Sequence, residues 1–132
     1  MKTTRQVRIK AALLTLFMLT FAIVVVAQRA SSVVRRINFP RGRTTAVVHG
    51  TVRRGVSHDY LLRARRGQTM YVNVAAPGGV SLTIMTPSGR YLAEYVRNWS
   101  GYLPQTGDYR ISVLPPTEHS RPAKYSLEVT IR

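Results

Sequence analysis

Short runs of alternating apolar and polar residues, each closed by a Gly- or Pro-containing turn, confine this chain to β structure. Side chains of a strand point alternately to its two faces, so a period of two marks a strip with one buried side. In 69–75, Met70, Val72 and Val74 alternate with Thr69, Tyr71 and Asn73. The same spacing unites Tyr109, Ile111 and Val113, and again Tyr125, Leu127, Val129 and Ile131. In 59–65, Tyr60, Leu62 and Ala64 claim one face and Leu61, Arg63 and Arg65 the other. Arg53-Arg54-Gly55, Arg66-Gly67-Gln68, Pro77-Gly78-Gly79, Pro87-Ser88-Gly89 and Gln105-Thr106-Gly107 separate the runs as turns. Val33, Val34, Ile37 and Phe39 suit a short first strand, and 98–103 reads as a loop or short edge strand. After Ala27 no apolar run has helical period. Short alternating strands at turn-marked intervals predict an all-β fold, an antiparallel, jelly-roll-like β-sandwich of about eight strands. Its wet faces are expected to carry the arginines, with Tyr71 or Asn73 on the strand adjoining Arg63 and Arg65.

The first 27 residues do not fit this pattern. Lys2, Arg5, Arg8 and Lys10 precede an apolar stretch, 11–27, broken only by Thr15 and Thr20. Val25-Val26-Ala27 places small residues where a signal peptidase cuts, before Gln28. Residues 1–27 are therefore predicted to be a helical secretion signal peptide, 28–43 a basic lead-in and 44–132 a β-sandwich binding domain. The alternative is an uncut anchor, and the apolar stretch lies at the short end of the ~17–25 residues a spanning helix needs. Either reading puts the domain outside the cytoplasm, periplasmic or secreted, with no membrane span once the leader is cut. No cysteine is present, so neither a lipid-modified Cys nor a disulfide framework is available, and the domain must rest on its core.

Charge narrows the partners. The formal net charge is +15. Loss of the four leader bases lowers it by four to +11, and Lys124 is then the one lysine among the bases. The guanidinium fork matches carboxylate and phosphate, and a field of this sign draws anions. An exported protein has no expected nucleic-acid partner. This leaves an acidic protein cleft or an anionic envelope polymer.

Chemistry of catalysis is hard to build from this composition. His49, His58 and His119 show no metal-ligand spacing and read as surface histidines. His58 and Asp59 are adjacent in a strand and face opposite ways. There is no G-x-S-x-G turn and no Gly-rich phosphate loop before a helix. The acids Asp59, Glu94, Asp108, Glu118 and Glu128 leave little for paired acid–base work. The expectation is no enzyme, no metal and no cofactor. Asp59-Tyr60 and Asp108-Tyr109 read as architecture, Asp capping a turn and Tyr entering the core with its hydroxyl satisfied. Tyr91, Tyr95, Trp99 and Tyr102 cluster with Arg90 and Arg97, a composition able to stack sugars or bases. The favoured expectation is structural, with Tyr91 and Tyr95 half-buried in the sandwich and Trp99 packing an end of the core.

Three segments carry a resemblance. The first runs His58-Asp59-Tyr60-Leu61-Leu62-Arg63-Ala64-Arg65-Arg66-Gly67-Gln68, a D-Y strand entering an A-x-x-G-Q turn. The second is the L-T-I-M-T-P-S-G stretch at 82–89. The third is L-P-Q-T-G-D-Y-R-I-S-V at 103–113, followed by Tyr125-Ser126-Leu127-Glu128-Val129. From about Thr45 onward the chain resembles the bacterial pre-peptidase C-terminal type of β-sandwich, and is similar to the periplasmic inhibitors of goose-type lysozyme. The resemblance implies Asp59, Tyr60, Gly67, Gly107, Asp108 and Tyr109 as the structural motif. It also implies a binding module acting on a wall-degrading enzyme, with Arg121 in the loop matching the inhibitors' basic loop. Beside it stands the reading from charge, an arginine-rich anion- or glycan-binding envelope module. Candidate binding residues are Arg63, Arg65, Arg110, Arg121 and Trp99. N-terminal sequencing of the exported protein is expected to begin at Gln28; recovery of an intact Met1 in the membrane fraction would favour the anchor.

Overall fold

The computed structural model describes residues 31–117 and 121–132. Residues 1–30, which hold the expected signal peptide and the first residues of the expected lead-in, and 118–120, with Glu118 and His119, lie outside the described residues. Nine strands follow one another: β1 (Ser31–Arg36), β2 (Thr45–Val52), β3 (Val56–Ala64), β4 (Thr69–Ala75), β5 (Ser81–Met85), β6 (Tyr91–Val96), β7 (Asn98–Tyr102), β8 (Gly107–Leu114) and β9 (Ala123–Ile131). They form a five-stranded sheet in the order β1-β3-β8-β5-β6 and a four-stranded sheet in the order β2-β9-β4-β7. Strands β2 to β9 wind as a jelly roll, which is the expected sandwich of eight strands. β1 is an addition, and it pairs with β3 in parallel rather than antiparallel fashion. The other ladders are antiparallel. The segment 98–103, left between loop and edge strand by its sequence, contributes Asn98–Tyr102 as the edge strand β7 of the smaller sheet.

The alternation places the core where it was expected. Tyr60 and Leu62 on β3, Leu82 and Ile84 on β5, and Tyr109, Ile111 and Val113 on β8 turn inward from the larger sheet. Met70, Val72 and Val74 on β4 and Leu127 and Val129 on β9 meet them from the smaller one. Sheets packed face to face stand about 10 Å apart, so each inward side chain reaches its opposite number. β1 is exposed along its whole length. Its Arg35 and Arg36 guard an edge that would otherwise invite pairing with another chain.

One polar bridge crosses this core. The hydroxyls of Tyr60 on β3 and Tyr125 on β9 lie 2.6 Å apart, and His58 Nδ1 lies 2.7 Å from the Tyr125 hydroxyl. His58 was expected at the surface. Its place in the alternation of Tyr60, Leu62 and Ala64 turns it inward instead, where it packs edge-on to Tyr125. Gly50 pairs with Tyr125 across β2 and β9, and a Cβ there would run into the Tyr125 ring. Glycine at this position makes room for the bridge.

The Asp-Tyr repeats resolve differently from each other and from the expectation. Tyr109 does enter the core. Its hydroxyl donates to the Gln105 carbonyl at 2.7 Å and accepts from the Gln105 N–H at 3.0 Å, a corner tying β8 to the loop before it. Neither Asp caps a turn. Asp59 lies inside β3 on the outward face, and Asp108 accepts two hydrogen bonds from the Arg36 guanidinium at 3.0 and 2.7 Å. Gly107, at φ 149°, precedes it where a Cβ would press on Pro87 at 2.9 Å.

Leu127 is fully buried on the central strand β9. Leu127→Ala is expected to cost about 2–5 kcal/mol in a urea unfolding curve. A cost below about 0.5 kcal/mol, the range of surface substitutions, would mean that β9 turns its other face to the core.

Candidate functional site

The chain connections gather arginines at one end of the sandwich. The strands β3 and β9 both finish there, at Ala64 and Ile131, and the turn between β1 and β2 passes over them. Between these segments lies an open depression of about 760 Å³, lined by Phe39, Arg43, Thr44, Arg63, Ala64, Arg65, Gln68, Thr106 and Ile131. Small-ligand sites span about 300–1,000 Å³, so it has room for an acidic side chain together with the segment that bears it. Ile131 and the half-buried Phe39 give its lining an apolar part, and Arg43, Arg63 and Arg65 line it beside them.

Backbone hydrogen bonds fix the rim. Gly67 N–H donates to the Leu103 carbonyl and Leu103 N–H to the Gln68 carbonyl, both at 2.8 Å. Arg65 N–H donates to Gln68 Oε1 at 2.7 Å, and Arg66 N–H to Thr106 Oγ1 at 2.9 Å. Gly67 takes φ 87° to close this turn, a conformation glycine adopts without steric cost. Arg43 N–H donates to the Pro40 carbonyl, and Ile131 N–H to the Thr44 carbonyl, both at 2.9 Å, which seats the β1–β2 turn on the end of β9.

The depression is electrostatically one-sided. No carboxylate lines it. The nearby Asp108 lies across the ladder from Arg63 but is taken by Arg36. That bidentate bond, with the Arg36 and Arg63 charges, holds the Asp108 carboxyl below the usual carboxylate range. Arg43, Arg63 and Arg65 form no ion pair among the described residues. Such a set can hold a carboxylate or phosphate by charge-assisted hydrogen bonds. The depression's side-chain hydroxyls are those of Thr44 and Thr106, and no group of three metal-ligating side chains occurs among the described residues.

The residues singled out from sequence do not form one surface. Arg63 and Arg65 share the depression. Arg121 lies in the β8–β9 connection at the other end, about 25 Å away along a strand of nine residues. Arg110 stands on the outer face of β8, its Nη1 3.9 Å from Asp59 Oδ2. Trp99 is half-buried on β7 and packs against the core. Tyr71 and Asn73 do not adjoin Arg63, because β4 belongs to the other sheet. The expectation that both wet faces carry arginines holds for one sheet alone. The strand-borne arginines Arg35, Arg36, Arg63 and Arg110 all lie in the five-stranded sheet, and the strands of the other bear none. Arg43 was missed, and only the path of the β1–β2 connection brings it to the site.

The half-buried histidine has its own signature. Burial, and then the charge of Arg35, push the His58 pKa below its ordinary value of 6.5, partly offset by Asp59. The folded protein therefore resists protonating His58, while the unfolded chain takes up the proton near pH 6.5. Stability is full above that pH and falls as the pH drops below it. Thermal melts from pH 7.5 to 5 are expected to show this loss, and His58→Asn to flatten it. An unchanged slope in the variant would contradict the assignment.

No protein-family model and no curated protein sequence matches the chain. Solved structures do. The periplasmic inhibitor of g-type lysozyme PliG from Aeromonas hydrophila superposes with a TM-score of 0.72 at 22% identity, covering 77% of this chain and 98% of that one. PliG from Salmonella Typhimurium gives 0.62 at 22% identity, with 77% and 98% covered. The pre-peptidase C-terminal domain of a Bacillus anthracis collagenase gives 0.53 at 12% identity, with 76% and 96% covered. At these identities the likeness shows a shared fold, the one that the D-Y and G-D-Y segments resemble.

Proposed function

We propose that this chain is an exported, non-enzymatic binding module of the envelope that acts as a lysozyme-inhibitor-like protein. In this reading its arginine-lined end engages the carboxylate-bearing cleft of a wall-degrading enzyme. The observation that carries it is the depression of Arg43, Arg63 and Arg65, with no acid of its own. Glycoside hydrolases work with a pair of Asp or Glu carboxyl groups flanking the scissile bond. A guanidinium set into such a cleft would hold a carboxylate in bidentate hydrogen bonds and deny it to the substrate. The sandwich that this chain shares with PliG supports the reading, since those proteins are named as inhibitors of g-type lysozyme. The basic n-region, apolar stretch and Val25-Val26-Ala27 site support export to the periplasm with loss of 1–27.

A second reading has its own support. Arg41, Arg66 and Arg132 extend the basic surface beyond the depression and are exposed. A spread of charge suits an anionic envelope polymer, which needs many weak contacts rather than one cleft. The two readings separate by stoichiometry and by salt. An enzyme cleft gives one saturable inhibitor site, and a polymer gives multivalent binding that screening over about 10 Å at 0.1 M weakens steeply.

Inhibition of a goose-type lysozyme by the exported protein tests the proposal. Replacing Arg63 and Arg65 together by Gln is expected to weaken inhibition by at least about 30-fold, the scale of one interface hot spot. Thermal stability should stay within about 0.5 kcal/mol. Arg121→Ala, at the far end, should leave inhibition unchanged. Loss of inhibition in Arg121→Ala alone would move the site to the β8–β9 loop, and no inhibition by the parent protein would end the inhibitor reading.

A further inference from the structure

The fold separates the aromatic residues that cluster in sequence. Trp99 and Tyr102 lie on β7 in the smaller sheet, whereas Tyr91 and Tyr95 lie on β6 at an edge of the larger one. Both β6 tyrosines are open to solvent, Tyr91 at 54% and Tyr95 at 77% of full exposure. They border a second depression, of about 260 Å³, on the outer face of the five-stranded sheet. Its floor is polar. The ladders set Asp59 opposite Ser112 and Ser112 opposite Thr83, a row running across three strands. Although this face looks outward, Asp59 keeps 6% of its exposure and Thr83 9%. Asp59 meets Arg110 at 3.9 Å, beyond hydrogen-bond reach, so the carboxylate and guanidinium keep capacity for another partner.

The edge strand is bent to make this place. The β5–β6 register slips twice, between Leu82 and Ile84 and between Ile84 and Met85. Strict alternation would send the neighbours Glu94 and Tyr95 to opposite faces. With the slips, both line the depression. Tyr95 takes φ 55°, the one positive φ of a non-glycine residue among those described. Bulges and such outliers re-aim side chains and concentrate at binding sites.

We propose that this face is a second binding site, for an uncharged hexopyranose glycan. The sugar ring lies on Tyr91 and Tyr95, and its hydroxyls bond the Asp59–Ser112–Thr83 row and Arg110. The donor and acceptor set fits this ligand. A hydroxyl both donates and accepts; Asp59 accepts, Arg110 donates, and Ser112 and Thr83 do either. Tyrosine faces supply apolar contact at little entropic cost. Charge disfavours a polyanion, which Asp59 and Glu94 repel, while Arg110 beside Asp59 offsets one of these two carboxylates and leaves little pull on a cation. The site is independent of the arginine-lined end, and the inhibitor reading does not enter into it.

Calorimetric titration of the exported protein with cellohexaose and chitohexaose tests this. At least one of them is expected to bind saturably, with a Kd below about 1 mM. Raising salt from about 0.05 to about 0.5 M should change that affinity less than about twofold, because no ion pair forms with the ligand. Tyr91→Ala and Tyr95→Gly should each weaken it about tenfold, the scale of an aromatic stacking contact. Both side chains are exposed, and glycine suits the Tyr95 backbone, so far-ultraviolet circular dichroism should be unchanged. Arg63→Gln with Arg65→Gln should have no effect. Three results would overturn the proposal: no saturable heat with either oligosaccharide, binding retained when both tyrosines are replaced, or binding that falls with salt and with the arginine pair.

Discussion

Because side chains alternate across a strand, the register of β3 on β8 decides at once which residues make the core and which face water. Tyr60 opposes Ile111 and Leu62 opposes Tyr109 on the inner face, so Asp59, Leu61 and Arg63 are turned outward with Ser112, Arg110 and Asp108. A slip of β3 by one residue would bury Asp59 and Arg63 and expose Tyr60 and Leu62, which no compensation in the sequence would offset. The domain has no disulfide to hold a weaker arrangement. Packing and surface chemistry thus follow from one constraint, and the polar bridge from Tyr60 to Tyr125 locks the second sheet to the same register.

The two ends of the sandwich are built differently. At the arginine-lined end, loops are tied by short backbone bonds, by the Tyr109 hydroxyl and by the approach of Pro87 to Gly107. Guanidiniums presented from such a rim lose little backbone freedom when they engage a partner, which favours affinity. At the other end Arg97 caps the loop after β4, donating to the Ala76 carbonyl at 2.7 Å. That arginine is spent on architecture, whereas Arg43, Arg63 and Arg65 remain available.

Periodicity made the faces legible but left the partners of each strand undetermined. The inward sets on β3, β4, β8 and β9 were readable residue by residue, and so was the entry of Tyr109 into the core. A period of two is silent on which sheet a strand joins. Tyr71 was therefore placed beside Arg63 when the chain crosses to the other sheet, and the parallel pairing of β1 could not be foreseen. His58 was misread because its polarity outweighed its position in the alternation. The bulges of β6 break the period, so the outward turn of both Glu94 and Tyr95 left no trace in the pattern. The arginine-lined site was half legible. Arg63 and Arg65 carry a strand signal, while Arg43 sits in a turn whose destination is a matter of topology.

A jelly roll shared with inhibitors and with a collagenase appendage does not by itself select a function; the surface must. The account rests on the claim that the end bearing Arg43, Arg63 and Arg65 is the surface that meets a protein partner. Amide chemical-shift mapping of the isotopically labelled protein, titrated with a goose-type lysozyme, tests that claim most directly. The account predicts the largest shifts at Thr44, at 63–68 and at Thr106, with the far end silent. Shifts confined to Arg53, Arg54 and Arg121, with none around the depression, would contradict it.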